Sequence, residues 1–109
     1  MPYAEAEGTQ TLTVGTEHTL TTLTNNKTYV FKADLNAMVS GDTIELRIYD
    51  TVLEDGTRRV AFYQSYSNAQ GADDKIKISV PVPADIEFRA TIKQTAGTSR
   101  SVPWKVLSL

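Results

Sequence analysis

Ile86-Glu87-Phe88-Arg89-Ala90-Thr91-Ile92-Lys93 alternates apolar and polar side chains at every step. Successive residues of a strand point to opposite faces, so the pattern describes a strand with one dry side. Ile44-Glu45-Leu46-Arg47-Ile48 and Lys75-Ile76-Lys77-Ile78-Ser79-Val80 repeat it. Tyr29, Phe31 and Ala33 alternate with Val30, Lys32 and Asp34, and Val102, Trp104 and Val106 alternate with Pro103 and Lys105. Gln10 to Val14 and Glu17 to Leu23 add two threonine-rich strands separated by Gly15-Thr16. Fifteen Thr, nine Val and six Ile reinforce the reading, because β-branched side chains suit pleated surfaces and lose rotamer freedom in helices. No ten-residue segment carries a helical apolar stripe. The nearest approach is Leu35-Asn36-Ala37-Met38-Val39, one or two turns whose apolar side chains are placed to cap an open end of the core.

Breaks at Asn25-Asn26, Gly41-Asp42, Asp55-Gly56, Asn68 to Asp74, Pro83-Ala84-Asp85 and Gly97-Thr98 space the strands as in a sandwich or barrel. The fold class is therefore all-β: a single antiparallel β-sandwich or barrel of seven to eight strands. Its predicted core holds Phe31, Leu46, Ile48, Phe62, Ile78, Phe88, Ile92 and Trp104. Residues 1 to 8 carry no core-facing pattern and read as a flexible arm preceding a domain over 9–109. The central hairpin has a preferred register. A two-residue turn at Asp55-Gly56 sets Val60 and Phe62 on the wrong face, whereas a three-residue loop Glu54-Asp55-Gly56 with a left-handed Gly56 sets Ile48 opposite Phe62 and Ile44 opposite Tyr66. The hairpin is long, and its tip, Thr51 to Arg59, is predicted to project.

The 109 residues suit one domain, with 40% hydrophobic and 22% charged residues in the ordinary globular range. A net charge of −2 gives no drive towards phosphate backbones or anionic lipid, so neither nucleic acid nor membrane is expected as a partner. The absence of Cys excludes disulfides and thiolate metal sites. The N-terminal Met1-Pro2-Tyr3-Ala4-Glu5-Ala6-Glu7 lacks the basic and apolar regions of a signal peptide, and an unsecreted chain is expected.

Catalytic chemistry finds little footing. His18 is the one imidazole and sits in a threonine-rich run, where a surface strand residue is the ordinary role. The carboxylate pairs Asp73-Asp74 and Glu54-Asp55 fall in loops beside Gly, where Asp commonly bonds nearby backbone amides rather than calcium. No G-x-S-x-G elbow, Ser-x-x-Lys pattern or glycine-rich phosphate loop is present. The expectation is no enzyme activity, no metal and no cofactor. Partner binding is the alternative, and the residues that point to it are Tyr3 in the arm, Val52 and Leu53 in the tip, Arg58 and Arg59 beside it, and the outward-facing Tyr49 and Tyr63.

Several stretches carry a family resemblance. They are Leu12 to His18, Met38-Val39-Ser40-Gly41-Asp42-Thr43-Ile44-Glu45-Leu46-Arg47-Ile48, Ile76 to Pro83, and Lys93-Gln94-Thr95-Ala96-Gly97-Thr98-Ser99-Arg100-Ser101-Val102-Pro103-Trp104-Lys105-Val106-Leu107-Ser108-Leu109. Together they resemble small virion-associated proteins of tailed bacteriophages, over nearly the whole chain after residue 8. The resemblance lies in strand and turn patterns and implies a head decoration or minor capsid role. It further implies binding to the major capsid protein or other virion proteins, presence in multiple copies, homo-oligomers on the particle, and a virion location after synthesis in the bacterial cytoplasm. A tail or neck component and a carbohydrate-binding β-sandwich module are the alternatives. The latter needs exposed aromatic platforms, and Trp104 has inward parity.

Overall fold

The computed structural model describes residues 2–109. Nine strands form two antiparallel sheets: β1 Tyr3–Thr11, β2 Glu17–Leu23, β3 Lys27–Asp34, β4 Thr43–Asp50, β5 Arg59–Ser67, β6 Ile76–Ile78, β7 Val82–Ala84, β8 Phe88–Ala96 and β9 Ser101–Ser108. One sheet runs β1-β9-β3-β6, with β7 also pairing β3, and the other runs β2-β8-β4-β5. They pack as a sandwich, with extents of 41 × 30 × 19 Å. Most of the predicted alternation is realised. Phe31, Leu46, Ile48, Phe88 and Ile92 are buried, Tyr29 stacks at 4.7 Å on Phe88, and Phe62 and Trp104 pack on the core from partly covered positions.

Four features depart from the sequence reading. Residues 3–8 are not an arm. They belong to β1, which pairs with β9 from Tyr3 opposite Ser108 to Thr11 opposite Ser101. β1 contributes little to the core, so no apolar pattern marks it; backbone pairing with β9 carries the strand instead. Residues 35–39 form no helix, only a turn in which Met38 N–H donates to the Leu35 carbonyl at 3.2 Å. Leu35 and Met38 do plug the core while Val39 is exposed.

The hairpin register is the one expected, Ile48 opposite Phe62 and Ile44 opposite Tyr66, but it arises by another route. Tyr49 pairs with Val60, so Ala61 is an extra residue inside β5, and the connection is the longer loop 51–58. Gly56 lacks a positive φ. An extra residue anywhere between the paired positions shifts parity equally, which is why the pattern fixes facing but not the position of the bulge. β4 is itself paired to β8 as far as Asp50 opposite Phe88, so only the loop stands beyond the sheet.

The fourth departure is β6. Ile78, predicted in the core, is 63% exposed, and Ile76 is 58% exposed, whereas Lys77 is buried to 7%. Lys77 reaches across the open edge of the sandwich. Its Nζ lies 4.8 Å from the centre of the Tyr66 ring in the opposite sheet and 2.9 Å from Asp74 Oδ2. Its aliphatic stem covers the edge while the ammonium keeps an anion and a π face as neighbours.

The end of the sandwich furthest from the loop is closed by polar groups. Asp42 is buried; its Oδ2 accepts from Val39 N at 2.9 Å and Arg100 Nε at 2.7 Å, and its Oδ1 accepts from Thr98 N at 3.3 Å. Buried Gln94 donates to the Ala96 and Thr98 carbonyls at 3.0 and 2.8 Å and accepts from Arg100 N at 3.2 Å. Gly97 sits at φ 94°, and a Cβ there would lie 2.0 Å from Asp42 Oδ1.

Candidate interaction surfaces

The loop after β4 organises its own tip. Asp50 Oδ1 accepts from Thr51 N at 2.8 Å, and Gly56 N donates to the Leu53 carbonyl at 2.8 Å, closing a tight turn around Glu54 and Asp55. With Thr51 turned in and the turn closed, Val52 and Leu53 are 84% and 71% exposed. Arg58 anchors the returning strand through Glu87, Nη1 to Oε1 2.7 Å, and Arg59 stands opposite Asp50. Of the two arginines, Arg58 braces the loop through its ion pair with Glu87.

Tyr49 and Tyr63 lie on the outer face of the β2-β8-β4-β5 sheet, as their parity predicts, and both are engaged. Tyr49 donates to Glu17 Oε2 at 2.6 Å, and Thr91 donates to the same oxygen at 2.7 Å. Tyr63 donates to Glu45 Oε2 at 3.0 Å while the Arg47 guanidinium stacks 4.8 Å from its ring centre, itself 2.9 Å from Glu45 Oε1. Burial raises the Glu17 carboxyl, and the hydrogen bonds from Tyr49 and Thr91 with nearby Arg47 and Lys93 outweigh it, leaving the group below its ordinary value. The same hydrogen bond raises the Tyr49 phenol. Tyr49, Arg58, Glu17 and Arg89 line a polar depression of about 260 Å³ on this face.

Tyr3 belongs to the other sheet, with the Lys27 ammonium 5.6 Å from its ring and Lys27 paired to Glu5 at 2.9 Å. The seven residues singled out from sequence thus occupy separate regions: the tip, the outer face of one sheet, and the edge of the other.

A further surface was not legible. On the outer face of the β1-β9-β3-β6 sheet, Lys105 stands between Glu7 and Lys32, Lys32 faces Ile78, and Asp34 faces Ile76. Pro103 lies beside Thr9. These residues frame a groove of about 360 Å³ lined by Ile76, Pro103, Lys32 and Lys105 among others. The sequence signal was the alternation of Ile76, Ile78 and Val80, but alternation states that one face is apolar and not which face meets the core.

His18 plays the structural role expected of a lone imidazole, its Nε2 accepting from Thr13 N at 3.0 Å. Asp74 is committed to Lys77, and among the described residues no three His, Cys, Asp or Glu side chains gather as metal ligands.

No family model and no curated protein matches the chain. Among solved structures it is similar to the VP2 subviral particle of infectious bursal disease virus, with a TM-score of 0.52 and 14% identity over 100% of this chain. The chain spans 32% of that one's length. At this identity the likeness speaks to the sandwich fold.

Proposed function

We propose that this chain is a non-enzymatic structural protein of a tailed bacteriophage particle, present in many copies and docked on the capsid shell as a decoration or minor capsid protein. The observation that carries the reading is the tip of the β4–β5 loop, where an ordered turn holds Val52 and Leu53 in water at 84% and 71% exposure. An apolar pair held outward by built structure is a contact waiting for a partner surface. The strand and turn patterns shared with small phage virion proteins support the phage assignment. The sandwich it has in common with a viral subviral-particle protein supports an assembly role. Mass spectrometry of purified particles of the phage that encodes the chain tests this. The chain is expected in stoichiometric ratio to the shell protein, and its absence from intact particles contradicts the reading.

A further inference from the structure

β5 is a free edge of its sheet. An edge strand leaves a row of backbone N–H and C=O groups unpaired, and such edges are ordinarily blunted by charge, proline, bulges or brevity. Among the described residues the other edges are blunted in these ways. β1 bears Glu5 and Glu7 with a bulge between Ala4 and Ala6, and β2 bears Glu17 with a bulge between Thr19 and Thr21. β6 and β7 are three residues each, with Pro83 inside β7. β5 has no charge and no Pro after Arg59. Its extra residue, Ala61, lies near its start, and Asn68 at φ 66° ends the extended backbone, so Phe62 to Ser67 is a plain, open stretch.

The inner side of this edge is open too. Gln64 stands opposite buried Leu46 and so points towards the other sheet, yet it is exposed. The opposing sheet therefore stops short of β5. What can cover the edge is a further strand, and the side chains of the stretch identify one that fits. Phe62-Tyr63-Gln64-Ser65-Tyr66 presents the same chemistry in either direction about Gln64: aromatic, hydroxyl-bearing, amide, hydroxyl-bearing, aromatic. An antiparallel second copy turned about a twofold axis at Gln64 sets Phe62 opposite that copy's Tyr66, Tyr63 opposite its Ser65, and Gln64 opposite its own equivalent. Aromatic pairs and amide pairs are favourable across a ladder, and no like charges meet, because Arg59 falls outside the paired stretch.

We infer that two copies of the chain pair β5 to β5 about a twofold at Gln64, joining two four-stranded sheets into one of eight. The contact is isologous and closes at a dimer. Since β5 runs in opposite directions in the two copies, their 51–58 loops lie at opposite ends of the dimer, each with Val52 and Leu53 still free. The inference goes beyond the reading given under Proposed function and does not rest on it.

Sedimentation equilibrium of the purified chain up to millimolar concentration is expected to show a monomer–dimer equilibrium, and hydrogen exchange to show amides within Phe62 to Tyr66 gaining protection as the dimer fills. Gln64→Lys and Gln64→Glu, at an exposed position, each place like charges face to face and are expected to weaken the dimer about two- to fivefold. An equimolar mixture of the two variants is expected to regain the parent's association through mixed dimers. Thr95→Lys, exposed on β8, is the control and is expected to leave association unchanged. Circular dichroism checks that each variant is folded, and the exchange pattern of the parent stands as a test without any substitution. A parent that stays monomeric throughout overturns the inference, as does a dimer whose β5 amides gain no protection or one indifferent to both charges at Gln64. Each of these results leaves the phage-particle reading standing, whereas absence of the chain from particles removes that reading and leaves the dimer.

Discussion

Asp42 is where a single residue governs most. It is buried, and the hydrogen bond from Arg100, assisted by the Val39 and Thr98 amides, outweighs burial and holds its carboxyl below the ordinary value. A carboxylate with a depressed folded-state value contributes stability that is complete above its unfolded value, about 3.9, and is lost as pH falls through the lower folded value. Urea midpoints of the parent are therefore expected to fall as pH drops below about 4. Glu17 titrates in the same sense, so the comparison that isolates Asp42 is with Asp42→Asn. That variant should lose about 2–4 kcal/mol at pH 7, because it strands the Arg100 guanidinium, and show a shallower acid slope. Gly97 is tied to the same site. Gly97→Ala places a methyl inside the Asp42 carboxylate and strains a φ of 94°. Gly15→Ala, at φ 90° with nothing within 4 Å, carries the strain alone. Thermal melts are expected to show Gly15→Ala costing about 1–3 kcal/mol and Gly97→Ala clearly more. Equal costs contradict the packing assigned here.

At the scale of elements, legibility follows how much a strand depends on the core. β3, β4 and β8 each send a dry face inward, and their alternation placed Phe31, Leu46, Ile48, Phe88 and Ile92 correctly. β1 is held by its ladder to β9, and backbone pairing leaves no apolar signature, so Tyr3 to Gly8 read as an arm. β6 has the pattern but faces the other way, because the edge of the sandwich is sealed by Lys77 against Tyr66. Among the seven residues read as partner-binding, Val52 and Leu53 stand out in the structure by exposure, and Tyr49 and Tyr63 lie on the outer face that their parity predicts. The groove was not legible, since it depends on strands 9, 3 and 6 coming together from distant parts of the chain. The inversion of β6 has a measurable consequence. Ile78→Ser is expected to change stability by no more than about 0.5 kcal/mol, as for an exposed site, whereas Phe88→Ala should cost about 3–5 kcal/mol. Similar, large losses for both would return Ile78 to the core.

Over the whole molecule, polar groups are engaged where the sandwich closes and apolar groups are left in water where it ends. The polar knot of Asp42, Gln94 and Arg100 seals one end, and the outer face bearing Tyr49 and Tyr63 is knitted by hydrogen bonds to Glu17 and Glu45. Val52 and Leu53 at the other end, with Ile76 and Ile78 on the opposite sheet, are the apolar surfaces a neighbour can cover. A small domain with its own core and outward-facing contacts is suited to addition onto a larger lattice, where many weak copies act together. The most direct measurement is the occupancy of particles by the V52S/L53S double variant, produced alongside the parent in the infected host and quantified by mass spectrometry of purified particles. The variant is expected to keep the parent's melting temperature within a few degrees and to be depleted from particles several-fold; loading equal to the parent contradicts the account.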